Sequence, residues 1–204
     1  MIGTTLTSLL LLAAPPDGAR VIMDADRGVP KAVFRLQVQT QGSTPQERAV
    51  SFLRSAGPWL GGISTAQLKF EKVSRLGDAV VVYFQLLSGG VPVDSRFIAV
   101  RLDSSGRVRR VQSDFDRWRV PPVRAGVSAE KARRVALEHA GGTHAGLAEQ
   151  VVLPTGPGAG LLAWRVYVAP VPLQRHFRVF VGAQSGEVIF VERGMKDQRG
   201  ELPR

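Results

Sequence analysis

Residues 80–115, VVVYFQLLSGGVPVDSRFIAVRLDSSGRVRRVQSDF, contain three strand-like runs separated by two glycine turns. The first run (79–87) is β-branched and aromatic throughout, which is the composition of a central strand. In the second (95–103), Ile98, Val100 and Leu102 alternate with Phe97, Ala99 and Arg101, so the Ile98 set faces a core. In the third (107–115), Val108 and Val111 stand three apart rather than two, and the broken period predicts a bulge. Gly106 lies where a short hairpin needs a left-handed residue. The stretch therefore reads as an antiparallel meander with one apolar face.

Such a face needs a cover, and the chain supplies one upstream. TPQERAVSFLRSAG (44–57) has Thr44 as cap, Pro45 in the first helical position, Glu47 to complete a capping box, and Gly57 at the exit. Ala49, Phe52, Leu53 and Ala56 fall at i, i+3, i+4 and i+7, one narrow apolar stripe. A helix stripe and a one-sided meander each leave apolar area in water unless they pack together.

The same order then recurs. After DRWRVPPVRAGV (116–127), whose prolines and glycine mark a linker, SAEKARRVALEHAGG begins a second helix. Ser128 caps it, Ala132, Val135, Ala136 and His139 share a stripe, and Gly141-Gly142 ends it. Strand-like runs follow at 149–154, 161–170, 176–182 and 187–194, with TGPGAG (155–160) as a hairpin loop. Trp164 shares a strand face with Leu162, Val166 and Val168 and reads as core. Ser185-Gly186-Glu187-Val188 repeats the turn Ser105-Gly106-Arg107-Val108. The expected fold class is α+β, two tandem units of a helix on an antiparallel sheet, at 20–115 and 128–193.

The 204 residues include no cysteine, which excludes disulfides, thiol catalysis and Cys-based zinc sites. Lys and Arg outnumber Asp and Glu by 27 to 17, and the excess is mostly arginine. The densest arginine run, Arg96 to Arg124, is interrupted by Asp94, Asp103, Asp114 and Asp116, and so reads as a solvated face rather than a nucleic-acid groove. His139, His144 and His176 lack metal-ligand spacing, and no H-E-x-x-H occurs. Asp114 and Asp116 read as carboxylates that are solvated or paired with Arg117 and Arg119, and Asp24 and Asp26 beside Arg27 read the same way. No strained G-x-S-x-G elbow or phosphate loop is present, and no cofactor is implied. The segment Leu6–Ala14 is too short for a membrane span and has the length of a signal-peptide apolar region, although no basic residue precedes Arg20. Residues 1–19 are thus expected to be a signal or unstructured segment, and the protein to be secreted or held in the cell envelope.

Residues 80–115 resemble the hallmark segment of the fungalysin/thermolysin propeptide (FTP) domain. The shared features are the aromatic-Gln strand (Phe84, Gln85), the Gly-x-Pro-Val turn (Gly90, Pro92, Val93), the apolar strand Phe97 to Leu102, and the D-x-x-G-x-V turn (Asp103, Gly106, Val108). DRGVPKAVFRLQVQT (26–40) and the helix at 44–57 are similar to that domain's opening. The second half resembles a PepSY domain in its Ser-capped helix, its LLAWRVYV strand with Trp164, and its closing VFVGAQSGEVIFV hairpin with Gly186. Where the FTP turn usually carries a second glycine after Pro-Val, this chain has Asp94-Ser95, and the loop from Pro170 to Arg175 is unusual for a PepSY strand pair. The resemblance spans about residues 26–193. It implies cystatin-like units and the role of a protease pro-region: a non-catalytic chaperone or inhibitor of a secreted thermolysin-like zinc metalloprotease, acting in cis or in trans. GMKDQRGELPR (194–204) would then be a junction segment, with a plain tail the other reading. A stand-alone extracytoplasmic PepSY-type module without a protease partner is the alternative reading, and a nucleic-acid-binding protein is a more distant one.

Overall fold

The computed structural model describes residues 14–118, 125–169 and 176–194. The expected signal at 1–19 lies mostly outside the described residues. So do the middle of the 116–127 linker, the loop Pro170 to Arg175, and the tail after Gly194. The chain divides into two compact units, Met1–Arg117 and Trp118–Arg204. Both are α+β, each with one α-helix and one antiparallel sheet among its described residues.

The first unit contains β1 (Arg20–Asp24), β2 (Val29–Val38), α1 (Pro45–Ala56), a 3₁₀ turn (Thr65–Gln67), β3 (Leu68–Leu76), β4 (Ala79–Ser88), β5 (Val91–Leu102) and β6 (Val108–Ser113). The strands lie side by side in the order β1-β2-β6-β5-β4-β3, all antiparallel. β4 is interior, as its composition requires, and Ile98, Val100 and Leu102 are buried. The helix stripe Ala49, Phe52, Leu53 and Ala56 is also buried, and α1 packs on β3, β4 and β5. The capping box forms: the Thr44 hydroxyl accepts from the Glu47 amide at 3.2 Å, and the Glu47 carboxylate accepts from the Thr44 amide at 3.2 Å. Gly57 is right-handed helical rather than left-handed. Glycine is needed there because a Cβ would come within 2.2 Å of the Ile63 carbonyl oxygen.

The bulge foreshadowed by Val108 and Val111 is present. Arg101 pairs with Arg110 and Leu102 with Val108, so Arg109 is the extra residue and both valines point inward. Three strands, β1, β2 and β3, extend the meander beyond the runs that the alternation of residues 79–115 reveals. β3 is a sheet edge with most of its residues exposed, so it has no buried face to impose a period of two. β5 begins at Val91, four residues earlier than the run at 95–103. Ser88 pairs with Val91 across the two-residue loop Gly89-Gly90, whose positive φ values of 57° and 82° are those of a tight hairpin turn.

The second unit contains α2 (Ala129–Ala140), β7 (His144–Gly156), β8 (Ala159–Ala169), β9 (Phe177–Gly182) and β10 (Val188–Arg193), with antiparallel pairing β7-β8-β9-β10. The loop at TGPGAG shortens to Pro157-Gly158. Ser128 accepts from the Lys131 amide at 3.2 Å, and Gly141 exits left-handed at φ 60°. Ala132 and Ala136 are buried with Val166, Val168, Val179 and Val181, while Val135, Leu137 and Ala140 pack around them. His139, expected on this stripe, is exposed. An imidazole has no buried partner there, and water near the helix's negative end suits it better.

Candidate functional site

The residues that carry the family resemblance gather at three places, each built around backbone geometry that needs a specific side chain. The first is on β4 and β5. Gln85 pairs with Phe97 and Leu87 with Pro92, so Leu86 alone faces the four residues Val93, Asp94, Ser95 and Arg96. This wide bulge takes carbonyls out of the ladder. Gln85, half-buried, restores their partners: its Nε2 donates to the Val93 oxygen at 2.6 Å and to the Arg96 oxygen at 2.8 Å. A primary amide is suited to this because one nitrogen brings two donors. Phe84 and Val93 are buried on either side. Ser95 sits at φ 53°, a left-handed conformation that a side chain adopts at a cost. The dipeptide Asp94-Ser95, which departs from the family's glycine, thus occupies the bend of the bulge, with the Ser95 hydroxyl donating to Asp94 at 3.0 Å.

The second place is the β5–β6 turn. The Asp103 carboxylate accepts from the Ser105 hydroxyl at 2.6 Å and from the Ser105 and Arg107 amides at 3.0 Å each. These bonds, the Ser105 hydroxyl first, hold its carboxyl below the ordinary range. Gly106 is left-handed at φ 79°, and a Cβ there would collide with the Arg48 guanidinium, which lies over the turn and donates through Nε to the Gly42 oxygen at 2.9 Å.

The third is in the second unit and centres on Val127, just before α2. Its amide donates to the Ala183 oxygen at 3.0 Å, its oxygen accepts from Trp164 Nε1 at 2.9 Å, and its side chain would be 3.1 Å from a Cβ on Gly186. Trp164 is therefore half-buried rather than enclosed: the ring packs on the α2 cluster while the indole N–H closes a carbonyl 37 residues earlier. The turns around Gly106 and Gly186 are related but not identical. Asp103 and Arg107 close the first, four residues apart, whereas Gly182 and Glu187, five apart, close the second.

Acid–base and metal chemistry find no convergence among the described residues. No group of three or more His, Asp or Glu side chains is placed to hold a metal, and the three histidines are exposed. Asp116 is buried, with Arg27 Nε at 3.5 Å, and accepts from the Arg117 backbone amide at 2.7 Å. The Arg117 side chain donates from Nη2 to the Gly61 oxygen at 3.2 Å, because Gly61 lies beside Phe115 and brings its carbonyl within reach. Arg119 lies outside the described residues. Asp24 accepts from the Asp26 and Arg27 amides at 3.2 Å and organises the β1–β2 turn.

What the molecule offers instead is strand edge and apolar surface. β3 carries Phe70, Val73 and Leu76 exposed at 40%, 43% and 60%, and β10 carries Ile189 and Phe190 at 40% and 51%. Exposed edges of this kind accept an added strand from another polypeptide. No helix among the described residues is long and apolar enough to cross a membrane.

No protein-family model matches the chain, and no curated protein matches it. Among solved structures it is similar to the Bacillus megaterium YpeB C-terminal domain, at 15% identity and a TM-score of 0.44, over 83% of this chain and 74% of that one. It is also similar to a Clostridium difficile 630 chain described as a lipoprotein, at 10% identity and a TM-score of 0.30, over 78% of this chain and 99% of that one.

Proposed function

We propose that the chain is a non-catalytic, exported pro-region-like protein, an FTP-like unit followed by a PepSY-like unit, both cystatin-like. It assists the folding of a secreted thermolysin-like zinc metalloprotease and inhibits it. The observation that carries this reading is the joint use of the motif residues. Gln85 with Val93, Asp103 with Gly106, and Trp164 with Gly186 each secure a bend that their own half of the chain requires. Residues that match the family's motif and do structural duty support a likeness of fold, and the mode of action is proposed by analogy with that family. An inhibitory pro-region needs no catalytic group of its own, only a preorganised surface complementary to the enzyme. The free edges of β3 and β10 supply such surface, and the excess of arginine would steer association with an acidic enzyme. The test is to titrate the purified chain into a thermolysin-like protease from the same source, and to refold the denatured catalytic domain with and without it. Concentration-dependent inhibition and improved recovery are expected. No inhibition together with no effect on refolding would overturn the proposal.

A further inference from the structure

The face of the first sheet turned away from α1 has a charge arrangement that the fold alone does not call for. Cross-strand register aligns Val81, Arg101, Arg110 and Phe34 in one row across β4, β5, β6 and β2, and Tyr83, Ala99 and Gln112 in the next. Arg101 and Arg110 are thus directly opposite one another, and like charges so placed work against the pairing. Neither forms an ion pair among the described residues, and Arg101 makes no hydrogen bond there either. Arg110 stacks on the Phe34 ring at 4.5 Å and donates to Gln112 at 3.1 Å, while its buried Nε has no partner. Asp103, a carboxylate of the same depression, is engaged by Ser105, Arg107 and Arg109.

Both guanidinium groups line a depression of about 720 Å³ that continues past Leu76 into a second of about 260 Å³, walled by Tyr83 and Phe97. Tyr83 and Phe97 meet edge to face at 6.1 Å, and Lys72 lies 5.3 Å over Tyr83. The larger part of the depression is open to solvent, which suits an extended chain better than a small molecule needing enclosure. Asp78 and Asp103 also stand on its wall, so a polyanion charged at every unit, such as a nucleic acid, would meet like charges there, whereas a segment whose carboxylates are spaced among apolar residues can place one between the two arginines and keep the others clear of the wall.

We propose that this groove binds an extended acidic segment of a partner protein. One carboxylate is seated between Arg101 and Arg110, and its apolar neighbours lie against Tyr83 and Phe97. A carboxylate offers two acceptor oxygens to two guanidinium forks and cancels the repulsion between them. This inference rests on the reading of the chain as a protein-binding module and names where and how the partner is gripped.

The test uses fluorescein-labelled hexapeptides of alternating Val and Glu, and the matched Val and Gln series, followed by anisotropy against the full chain. The Glu peptide should bind about tenfold or more tightly than the Gln peptide, and R101Q and R110Q should each weaken the Glu peptide by about tenfold, the usual worth of a charge-assisted hydrogen bond. R134Q, on the exposed side of α2, should leave binding unchanged. R101Q should keep or raise the denaturation midpoint, since it removes a repulsion; a merely structural role for Arg101 predicts a fall. Equal binding of the Gln peptide, or insensitivity to both groove variants, overturns the proposal. So does displacement of the peptide by a fifteen-nucleotide oligothymidylate or by 3-phenylpropionate at lower concentration than the unlabelled peptide. Because no protease takes part, failure here with protease inhibition intact would remove the groove and leave the proposed function standing.

Discussion

Replacing Gln85 by Leu keeps the size of the side chain and removes both donors that close the β5 bulge. The Val93 oxygen belongs to a fully buried residue, so without Gln85 it stays unpaired and should cost about 1–3 kcal/mol. The Arg96 oxygen belongs to a half-buried residue and can recruit water, so its loss is nearer the net worth of an ordinary hydrogen bond, about 1 kcal/mol. Together the expected destabilisation is about 2–4 kcal/mol. For a unit of this size each kcal/mol lowers the melting temperature by about 4–8 °C, so a fall of more than 8 °C is expected. Calorimetry suits the measurement because two units can unfold in separate transitions and only one should move. Q85E is a useful companion: an ionised carboxylate facing two carbonyl oxygens is worse than leucine, so its stability should recover as the group is protonated in acid. If Q85L melts within 2 °C of the parent, Gln85 does not close the bulge and the account of that site fails.

Three further outcomes follow from the same geometry. At Ser95, S95G should be about 1 kcal/mol more stable than S95A by urea denaturation, since both lose the hydroxyl and only alanine carries a Cβ into φ 53°. W164F keeps the ring on the α2 cluster but leaves the Val127 oxygen unpaired, and should cost about 1–2 kcal/mol in the second unit's transition, with W164A costing about 3–5 kcal/mol. Acid should weaken the first unit. Glu47, through the Ser43 hydroxyl and the Ser43 and Thr44 amides, and Asp103, through the Ser105 hydroxyl, are held below their ordinary values. The stability they add is present above the unfolded carboxylate pKa of about 4 and is lost as pH falls through the lowered values. Urea midpoints at pH 6 and pH 3 should therefore converge in the E47Q/D103N double variant.

The parts of the fold that were legible in the sequence are those fixed by short-range chemistry. The capping box of α1 occupies four consecutive residues, Thr44 to Glu47, and the Gly106 and Gly186 turns are equally local. The Arg109 bulge could be read because it displaced two valines that a core keeps fixed. β3 could not be, because an edge strand with exposed faces obeys no period. The site was less legible still. Gln85 is part of a recognisable motif, but its partners lie 8 and 11 residues ahead, brought near only by the hairpin. Asp94-Ser95 reads as a departure from a pattern, and its place at the bend of a bulge emerges only once β4 and β5 are paired. The neighbour of Asp116 in sequence, Arg117, does bond to it, but through the backbone amide, while the arginine side chain of Arg27 comes from 89 positions away. Register, too, is what sets Arg101 opposite Arg110; nothing in their spacing distinguishes them from the other arginines on the same strands.

Val127 has a bearing on where the second unit can be cut free. By secondary structure the unit starts at Ser128, the cap of α2, and a fragment begun there would have its helix and all four strands. It would still lack the residue whose carbonyl receives the Trp164 indole and whose side chain covers Gly186. The smallest self-sufficient piece therefore begins before the helix, within a stretch that looks by composition like mere connection.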